Sequence, residues 1–290
     1  MRLHVRAPAS TANLGPGFDC AAAALDLWNE LELVENGAVA TVELEGEGAE
    51  ELPRDTGHLA LRAFALFASP DSYRFRFVNR IPLERGLGSS AAAVAIGLVA
   101  GASVAGRDVT RDELLAAGES LEGHRDNLAA ALYGGVTVAW RSDGTATARR
   151  LADELPLRPI LVVPRDRTST HLSRSALPAT VAHDDAAANA AAAALLGAGI
   201  AQGDAELLRS AFRDRLHEPY RLESAPLLAR LGENPPARSA GVTLSGSGPS
   251  VVVWASPDDV DAVAAELVGS LPDDTTVLPL RVAQRGAEVE

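Results

Sequence analysis
The sequence predicts an α+β fold in two layers, built as two subdomains that meet near residue 155. Three observations lead there. The chain has 290 residues, 47% of them hydrophobic and 22% charged, enough for a sizeable core. Strand-like and helix-like stretches are interspersed without the strict alternation of a βαβ fold. An apolar run, "RPILVVPRD", restarts the pattern halfway along and ends at Pro164. The expected division is 1–155 and 156–290.

The first half opens with "LHVRAPAS", whose alternation reads as a strand, followed by the turn-rich loop "TANLGPGFDC". "AAAALDLWNELELVE" is ambiguous between helix and strand, with strand-like alternation at its end. "ATVELEGEG" is a strand and "HLALRAFALFA" has helical spacing. "YRFRFVNRIP" puts Tyr73, Phe75 and Phe77 on one face of a half-buried strand. A glycine-rich loop and a long apolar helix follow. "RDELLAAGESLEGH" is a helix, with Thr110 as N-cap and Glu113 completing a capping box. "YGGVTVAWRS" is a strand after a Gly-Gly turn.

The second half begins with the strand at "RPILVVPRD" and becomes mostly helical from Thr170 to Asp214, with a break near Gly203. "SAPLLARLGENPPARSAGVTLSGSGPSVVVWAS" reads as helix, polar loop, strand, glycine-rich turn and strand. "PDDVDAVAAELVGSL" is a helix and "TTVLPLRVAQ" a final strand.

Charge and composition narrow the function. The formal net charge of -13 argues against nonspecific binding to nucleic acid or an anionic membrane. The single cysteine, Cys20, permits no intramolecular disulfide and no cysteine-rich zinc site. It reads as a small buried residue. The N-terminus lacks the apolar core of a signal peptide, and no run is a convincing membrane span. The expectation is a soluble cytoplasmic protein. The chain contains no lysine, so all 26 basic residues are arginine. A Walker A loop and a protein-kinase fold both need a lysine, and both are excluded.

The loop "IPLERGLGSS" carries the chemistry. Glycines let backbone approach an anion, and the helix behind it offers unpaired N–H groups and the positive end of a dipole. Ser89 and Ser90 add hydroxyls. The ordinary alternative is a glycine-rich loop before a core helix. Gly86 to Ala91 also fits the dinucleotide fingerprint G-x-G-x-x-[GA], with Asp108 downstream. That fingerprint should follow a continuously apolar parallel strand directly. Here the strand alternates and "NRIPLER" intervenes. No G-x-S-x-G elbow exists for a serine hydrolase. A phosphate loop of a non-Walker kinase predicts a metal carboxylate, a polar acceptor pocket and a second glycine-rich turn. Glu119 and Glu122 on the preceding helix, the Asp126–Asn127 cluster and "TLSGSGPS" supply candidates.

Three stretches, "PASTANLGPGFD", "PLERGLGSSAA" and "TLSGSGPSVVVW", resemble in order the three motifs of the GHMP kinases (galacto-, homoserine, mevalonate and phosphomevalonate kinases). Their spread covers nearly the whole chain. The first motif, with "EGHRDNLAAALYGG", "TSTHLSRSALP" and "LHEPYR", is most similar to the homoserine kinase subfamily. The resemblance implies a ribosomal-protein-S5-like N-terminal part, a ferredoxin-like C-terminal part, an active site between them and a homodimer. It implies phosphorylation of the L-homoserine hydroxyl by ATP with Mg²⁺, on the way to threonine.

Residue by residue, the resemblance implies an ATP site over Pro82, Leu83, Glu84, Arg85, Gly86, Leu87, Gly88, Ser89, Ser90, Ala91 and Ala92. Ser90 and Glu119 would hold the metal, with Glu122 the competing carboxylate. Arg174 and Arg221 would take the acceptor's carboxylate, because bidentate pairing favours arginine. Asp19 and Asp126 are candidates for its ammonium. Asn13, His124 and Asn127 would orient the hydroxyl. The loop carrying Thr170, His171 and Ser173 is expected to approach the substrate. Asp126, Asn127, Ser90 and Glu119 form the expected catalytic group, and whether Asp126 acts as a base stays open. Two alternatives remain: a kinase for another small alcohol such as L-threonine, and an inactive relative. Alanines in "HDDAAANAAAAALL" replace an aromatic and an arginine common in the subfamily, so inhibition by threonine is left open.

Overall fold
The structure is a computed structural model that describes residues 1–37, 39–167 and 170–290. The side chains of Thr170 and His171 lie outside that description, so the expectation placed on them does too. The chain runs β1 (Arg2–Ala12), β2 (Ala21–Glu35), β3 (Thr41–Gly46), α1 (Leu59–Phe64), β4 (Tyr73–Asn79), α2 (Ser89–Val104), α3 (Arg111–Gly118), α4 (Arg125–Tyr133), β5 (Val136–Ser142) and β6 (Thr145–Ala152). It continues with β7 (Arg158–Val163), α5 (Thr170–Ser175), α6 (His183–Gln202), α7 (Ala205–Ala211), α8 (Pro226–Glu233), β8 (Ser239–Leu244), β9 (Val251–Ala255), α9 (Val260–Ser270), β10 (Thr276–Pro279) and β11 (Glu288–Val289).

Two sheets organise these elements. The first has the order β11-β1-β2-β4-β3, with β5 on the other stretch of β2 and β6 beyond it. Among the described residues, β3 and β4 form the one parallel pair. The ambiguous stretch resolves as β2, because its length serves two partners. Residues 21–23 pair with β5 and residues 30–35 with β4. Along β4 the alternation holds: Phe75 and Phe77 are buried while Arg74 and Arg76 are exposed. The β6 strand was not evident in the sequence. Its charged "ARR" run is half solvent-facing, which hides the strand period.

The second sheet has the order β10-β7-β9-β8. Ile160, Val162, Val251 and Val253 point into a core with α8 and α9. Leu161, Val163, Val252 and Trp254 point into the larger core shared with the first sheet. A strand buried on both faces reads as a continuous apolar run, which is why "PILVV" does not alternate. The final strand is shorter than the sequence suggests. After Pro279 the chain crosses back, bridges Leu25 through Val282 and adds β11 beside β1.

Two local features position the site. α2 is apolar all round and, apart from the half-buried Ala93, buried from Ala91 through Ala102, so its place is set by packing. Its N-cap is Gly88 at φ 66°, and no side chain caps it. Its first N–H groups are therefore left to whatever lies in front. α3 forms the expected capping box: Glu113 N–H donates to Thr110 Oγ1 at 3.2 Å, and Thr110 N–H donates to Glu113 Oε2 at 2.8 Å. It ends, however, at Gly118. Glu119 is its C-cap and Glu122 lies in the turn beyond, so neither sits within the helix as the sequence reading had it.

Candidate active site
A cavity of about 620 Å³ lies between the two sheets, in front of α2. One wall is backbone. Leu87 C=O accepts from Ser10 N–H at 3.0 Å, and Gly86 C=O accepts from the Ser245 hydroxyl at 2.8 Å. The loop 86–88 is thus clamped between β1 and the 245–250 turn. Glycine is required at two points. A Cβ on Gly86 would lie 2.1 Å from Ser245 O, and one on Gly88 would lie 2.0 Å from Ser10 Oγ. Arg85 holds the loop from outside. Its guanidinium donates to Pro164, Leu83 and Arg165 carbonyls at 2.7–3.0 Å, so its hydrogen bonds serve the backbone.

Pro82 through Ser90, which the sequence reading assigned to ATP, line the cavity. Ala91 and Ala92 do not. Both are fully buried in the first turn of α2, with their side chains in the core. Past the loop the cavity becomes apolar, walled by Leu52, Leu59, Phe77, Leu83 and Ile96 with His58 among them. His58 stacks on Phe77 at 4.6 Å, and burial lowers its pKa to about 4, so its ring is neutral.

The metal expectation on Glu119 needs correction. Glu119 does not line the cavity. It forms ion pairs with Arg141 at 2.8 Å and Arg125 at 3.7 Å. Of the two candidate glutamates, the one that lines the cavity is Glu122, 4% exposed and hydrogen-bonded by the Ser90 side chain. Glu122 Oε1 also accepts from His124 N–H at 3.1 Å and from His124 Nδ1 at 2.7 Å. Burial pushes the Glu122 pKa up, but the bonds from His124 and Ser90 outweigh it, and the net shift is downward. The same bond raises the His124 pKa. The helix ends six residues earlier than the sequence suggests, which carries Glu122 round to the site and leaves Glu119 behind.

The other end of the cavity is built from side chains. Asn13 donates through Nδ2 to Gly246 O at 2.8 Å, and its Oδ1 accepts from Asp19 N–H at 3.0 Å. It ties the 13–19 loop to the 245–250 turn. Asp126, at the start of α4, is 4% exposed, and its Oδ1 accepts from Asn127 N–H at 2.8 Å. Burial, with help from the Asp19 charge, pushes its pKa up to about 6. Asn127 Oδ1 accepts from Ser10 Oγ at 2.8 Å. Arg174 pairs with Asp19 at the mouth. Arg221 is 3% exposed and donates through Nε to Ser173 O at 3.3 Å and through Nη1 to Gly246 O at 3.2 Å.

Asn13, Asp19, His124, Asp126, Asn127, Arg174 and Arg221 all line this one cavity. Two residues at this end escaped the sequence reading, Phe18 in the cavity wall and His217 buried behind it. Phe18 lies beneath both arginines, 5.8 Å from Arg174 and 5.6 Å from Arg221. His217 stacks on Phe18 at 5.0 Å. Phe18 could have been suspected from its place inside the "NLGPGFD" loop; a lone histidine in "LHEPYR" gives no such signal.

Two carboxylates and two guanidiniums at one end of a cavity complement a zwitterion. A glycine cradle at an uncapped helix N-terminus complements phosphate. A buried carboxylate and a hydroxyl stand between them. Among the described residues there is no cluster of three or more His, Cys, Asp or Glu able to hold a metal by itself. No helix among them is long and apolar enough to cross a membrane.

Known proteins match the chain along most of its length. The family model for the GHMP kinases N terminal domain matches residues 58–135, and that for the GHMP kinases C terminal region matches 190–273. A homoserine kinase of Streptomyces coelicolor is 39% identical over 297 residues, covering 97% of this chain and 96% of its own. One from Moorella thermoacetica is 41% identical over 260 residues, covering 86% of each. Among solved structures, the homoserine kinase of Cytophaga hutchinsonii superposes with a TM-score of 0.85 at 26% identity, covering 100% of this chain and 97% of its own. The mevalonate kinase of L. major, with R-mevalonate, gives 0.71 at 17% identity over 96% and 95%, a likeness of fold alone.

Proposed function
The chain belongs to the GHMP kinase family, and from that premise we propose that it transfers the γ-phosphoryl group of ATP to the side-chain hydroxyl of L-homoserine. The observation that carries the acceptor is the paired arrangement of Arg174 and Arg221 with Asp19 and Asp126. It matches an amino acid's carboxylate and ammonium together. An acceptor without a carboxylate, such as galactose, leaves the buried Arg221 unpaired, and a site built around a polar partner rejects ligands that lack it. Homoserine kinases among the relatives point the same way.

In this reading the N–H groups of the 86–90 loop and the first turn of α2 hold the phosphates, with the base in the apolar limb beside His58. No lysine is needed there. The Ser90 hydroxyl and the Glu122 carboxylate are hard oxygen donors and fit Mg²⁺, which keeps few protein ligands and shares the rest with phosphate and water. When bound, it neutralises charge on the β- and γ-phosphates. Arg221 and Arg174 take the acceptor carboxylate, and Asp19 and Asp126 take its ammonium. Asn13, His124 and Asn127 keep the polar groups around the hydroxyl in place. Phosphoryl transfer of this kind rests on positioning and charge stabilisation more than on a strong base.

The same reading carries a homodimer and a cytoplasmic location, to be read by sedimentation and by cell fractionation. The reaction is tested by ADP release from Mg-ATP with L-homoserine, L-threonine, L-serine, mevalonate and galactose in turn. Turnover selective for L-homoserine is expected. Selectivity for another acceptor removes the substrate and keeps the kinase. Absence of turnover with all five removes the reading.

A further inference from the structure
Arg221 lines the cavity, and its guanidinium is held by three contacts. Its Nε and Nη1 are engaged by Ser173 O, Gly246 O and His217 Nδ1, the last at 3.1 Å. None of these three contacts uses Nη2. His217 is fully buried, and its own bonds define its proton. Nε2 lies 2.9 Å from Gly15 O, and a carbonyl can only accept, so Nε2 carries the hydrogen. Nδ1 faces a guanidinium, which can only donate, so Nδ1 carries the lone pair. Burial holds the ring below the ordinary imidazole pKa, which keeps it neutral. Its face stacks on Phe18, the ring that also lies under both arginines.

Asp214 sets this imidazole in place. Its Oδ2 accepts the N–H groups of Leu216, His217 and Glu218 at 3.1, 2.7 and 2.8 Å, closing the turn that presents His217. One neutral ring therefore joins three parts of the acceptor end: Gly15 of the 13–19 loop, Phe18, and Arg221.

We infer that His217 is a positioning residue for the acceptor: as the Nε2–H tautomer it aligns Arg221 through Nδ1 for the acceptor's carboxylate and anchors the 13–19 loop through Nε2. The inference rests on the amino-acid acceptor of the proposed function, and it goes further by assigning a separate task to each ring nitrogen. A histidine that merely fills space would have no such division.

Two substitutions separate the tasks. His217→Asn leaves an oxygen near the Nδ1 position, able to accept from Arg221, and loses the donor to Gly15. His217→Gln leaves an N–H near the Nε2 position and loses the acceptor for Arg221. Both lose the stack on Phe18, so their difference weighs the bond to the charged Arg221 against the bond to the neutral Gly15 carbonyl, and the charged one is the stronger. The KM for L-homoserine is expected to be about tenfold higher in His217→Gln than in His217→Asn, as suits one hydrogen bond to a charged group. The KM for ATP should stay within about twofold of the unaltered chain in both, because the phosphate cradle is built of other residues. Equal homoserine KM values, or the reverse order, overturn the inference. An unaltered chain that does not phosphorylate homoserine overturns the underlying reading instead. Nitrogen-15 NMR of the unaltered protein gives a second test that needs no variant. A His217 ring protonated only at Nε2 is expected, and one protonated at Nδ1 or at both nitrogens overturns the assignment.

Discussion
The two ends of the cavity are built from different material. The phosphate end is backbone: a glycine loop, a helix start without a side-chain cap, and a second turn clamped to it through Ser245. The acceptor end is side chains drawn from four separate stretches, at residues 13–19, 124–127, 173–174 and 217–221. A backbone cradle recognises an anion by shape and dipole and tolerates no added atom. A side-chain pocket recognises by paired charges and can be retuned one residue at a time. This is why a phosphate cradle can be kept while acceptors differ, and it orders the effects that substitutions should have.

The largest loss should come from the backbone wall. In Gly86→Ala the new methyl would stand 2.1 Å from Ser245 O and 2.9 Å from Gly248 N, both main-chain atoms, at a φ of +72°. The loop must move, and a displacement of about 1 Å at a reacting centre costs about 10²-fold in rate. We expect at least that loss in kcat/KM for ATP, with the structure retained by circular dichroism. A variant within about threefold of the unaltered chain would break the contrast between the two ends.

Next is the junction between the ends. Glu122→Gln should lower kcat by about 10²-fold, the scale of losing one preorganised electrostatic group, and should raise the Mg²⁺ concentration needed for half-maximal rate. Glu119→Gln should stay within about twofold, since Glu119 lies outside the cavity and its ion pairs with Arg125 and Arg141 do not touch the site. The reverse pattern would return the metal to Glu119.

These two residues show where the sequence was legible. The glycine loop, the turn at 245–250 and the capping box at Thr110 are local patterns, and local geometry enforces them. Glu119 and Glu122 differ by three residues, and only the place where α3 stops decides which of them faces the cavity. Helix ends are the least readable part of a sequence. The β6 strand was hidden by its exposed arginines, and β11 by its length of two residues. Arg221 was recognisable by resemblance. His217 was not, because its task depends on Gly15, 202 residues away. What a side chain does through a distant contact leaves no period and no spacing to read.

At the acceptor end, Arg221→Lys keeps the charge and removes the planar fork. Its contacts with Ser173, Gly246 and His217 cannot all be kept by one ammonium. The homoserine KM should rise about tenfold to a hundredfold, as for one or two hydrogen bonds to a charged group, with ATP KM unchanged. Equal effects on both substrates would mean that the ends are not separable.

The smallest effect is one of pH, and it pits function against stability at one residue. Asp126 has its pKa pushed from 3.8 to about 6, chiefly by burial. If its carboxylate must be ionised to hold the acceptor's ammonium, kcat/KM for homoserine should fall to about half near pH 6 and by about tenfold for each further unit. In Asp126→Asn that acidic limb should vanish, at a lower plateau, with homoserine KM raised at least as much as kcat is lowered. Stability runs the other way. A carboxyl whose folded pKa lies above its unfolded value contributes stability that is whole below pH 3.8 and is lost as pH rises through about 6. Two units correspond to about 3 kcal/mol at neutral pH. Asn keeps an oxygen for the Asn127 N–H bond and carries no charge to bury. Asp126→Asn should therefore melt higher than the unaltered chain at pH 7.5, and the gap should close toward pH 4. A variant that loses activity and also melts lower at pH 7.5 would mean that Asp126 serves the fold, and the acceptor end would then rest on Asp19 alone for its cation.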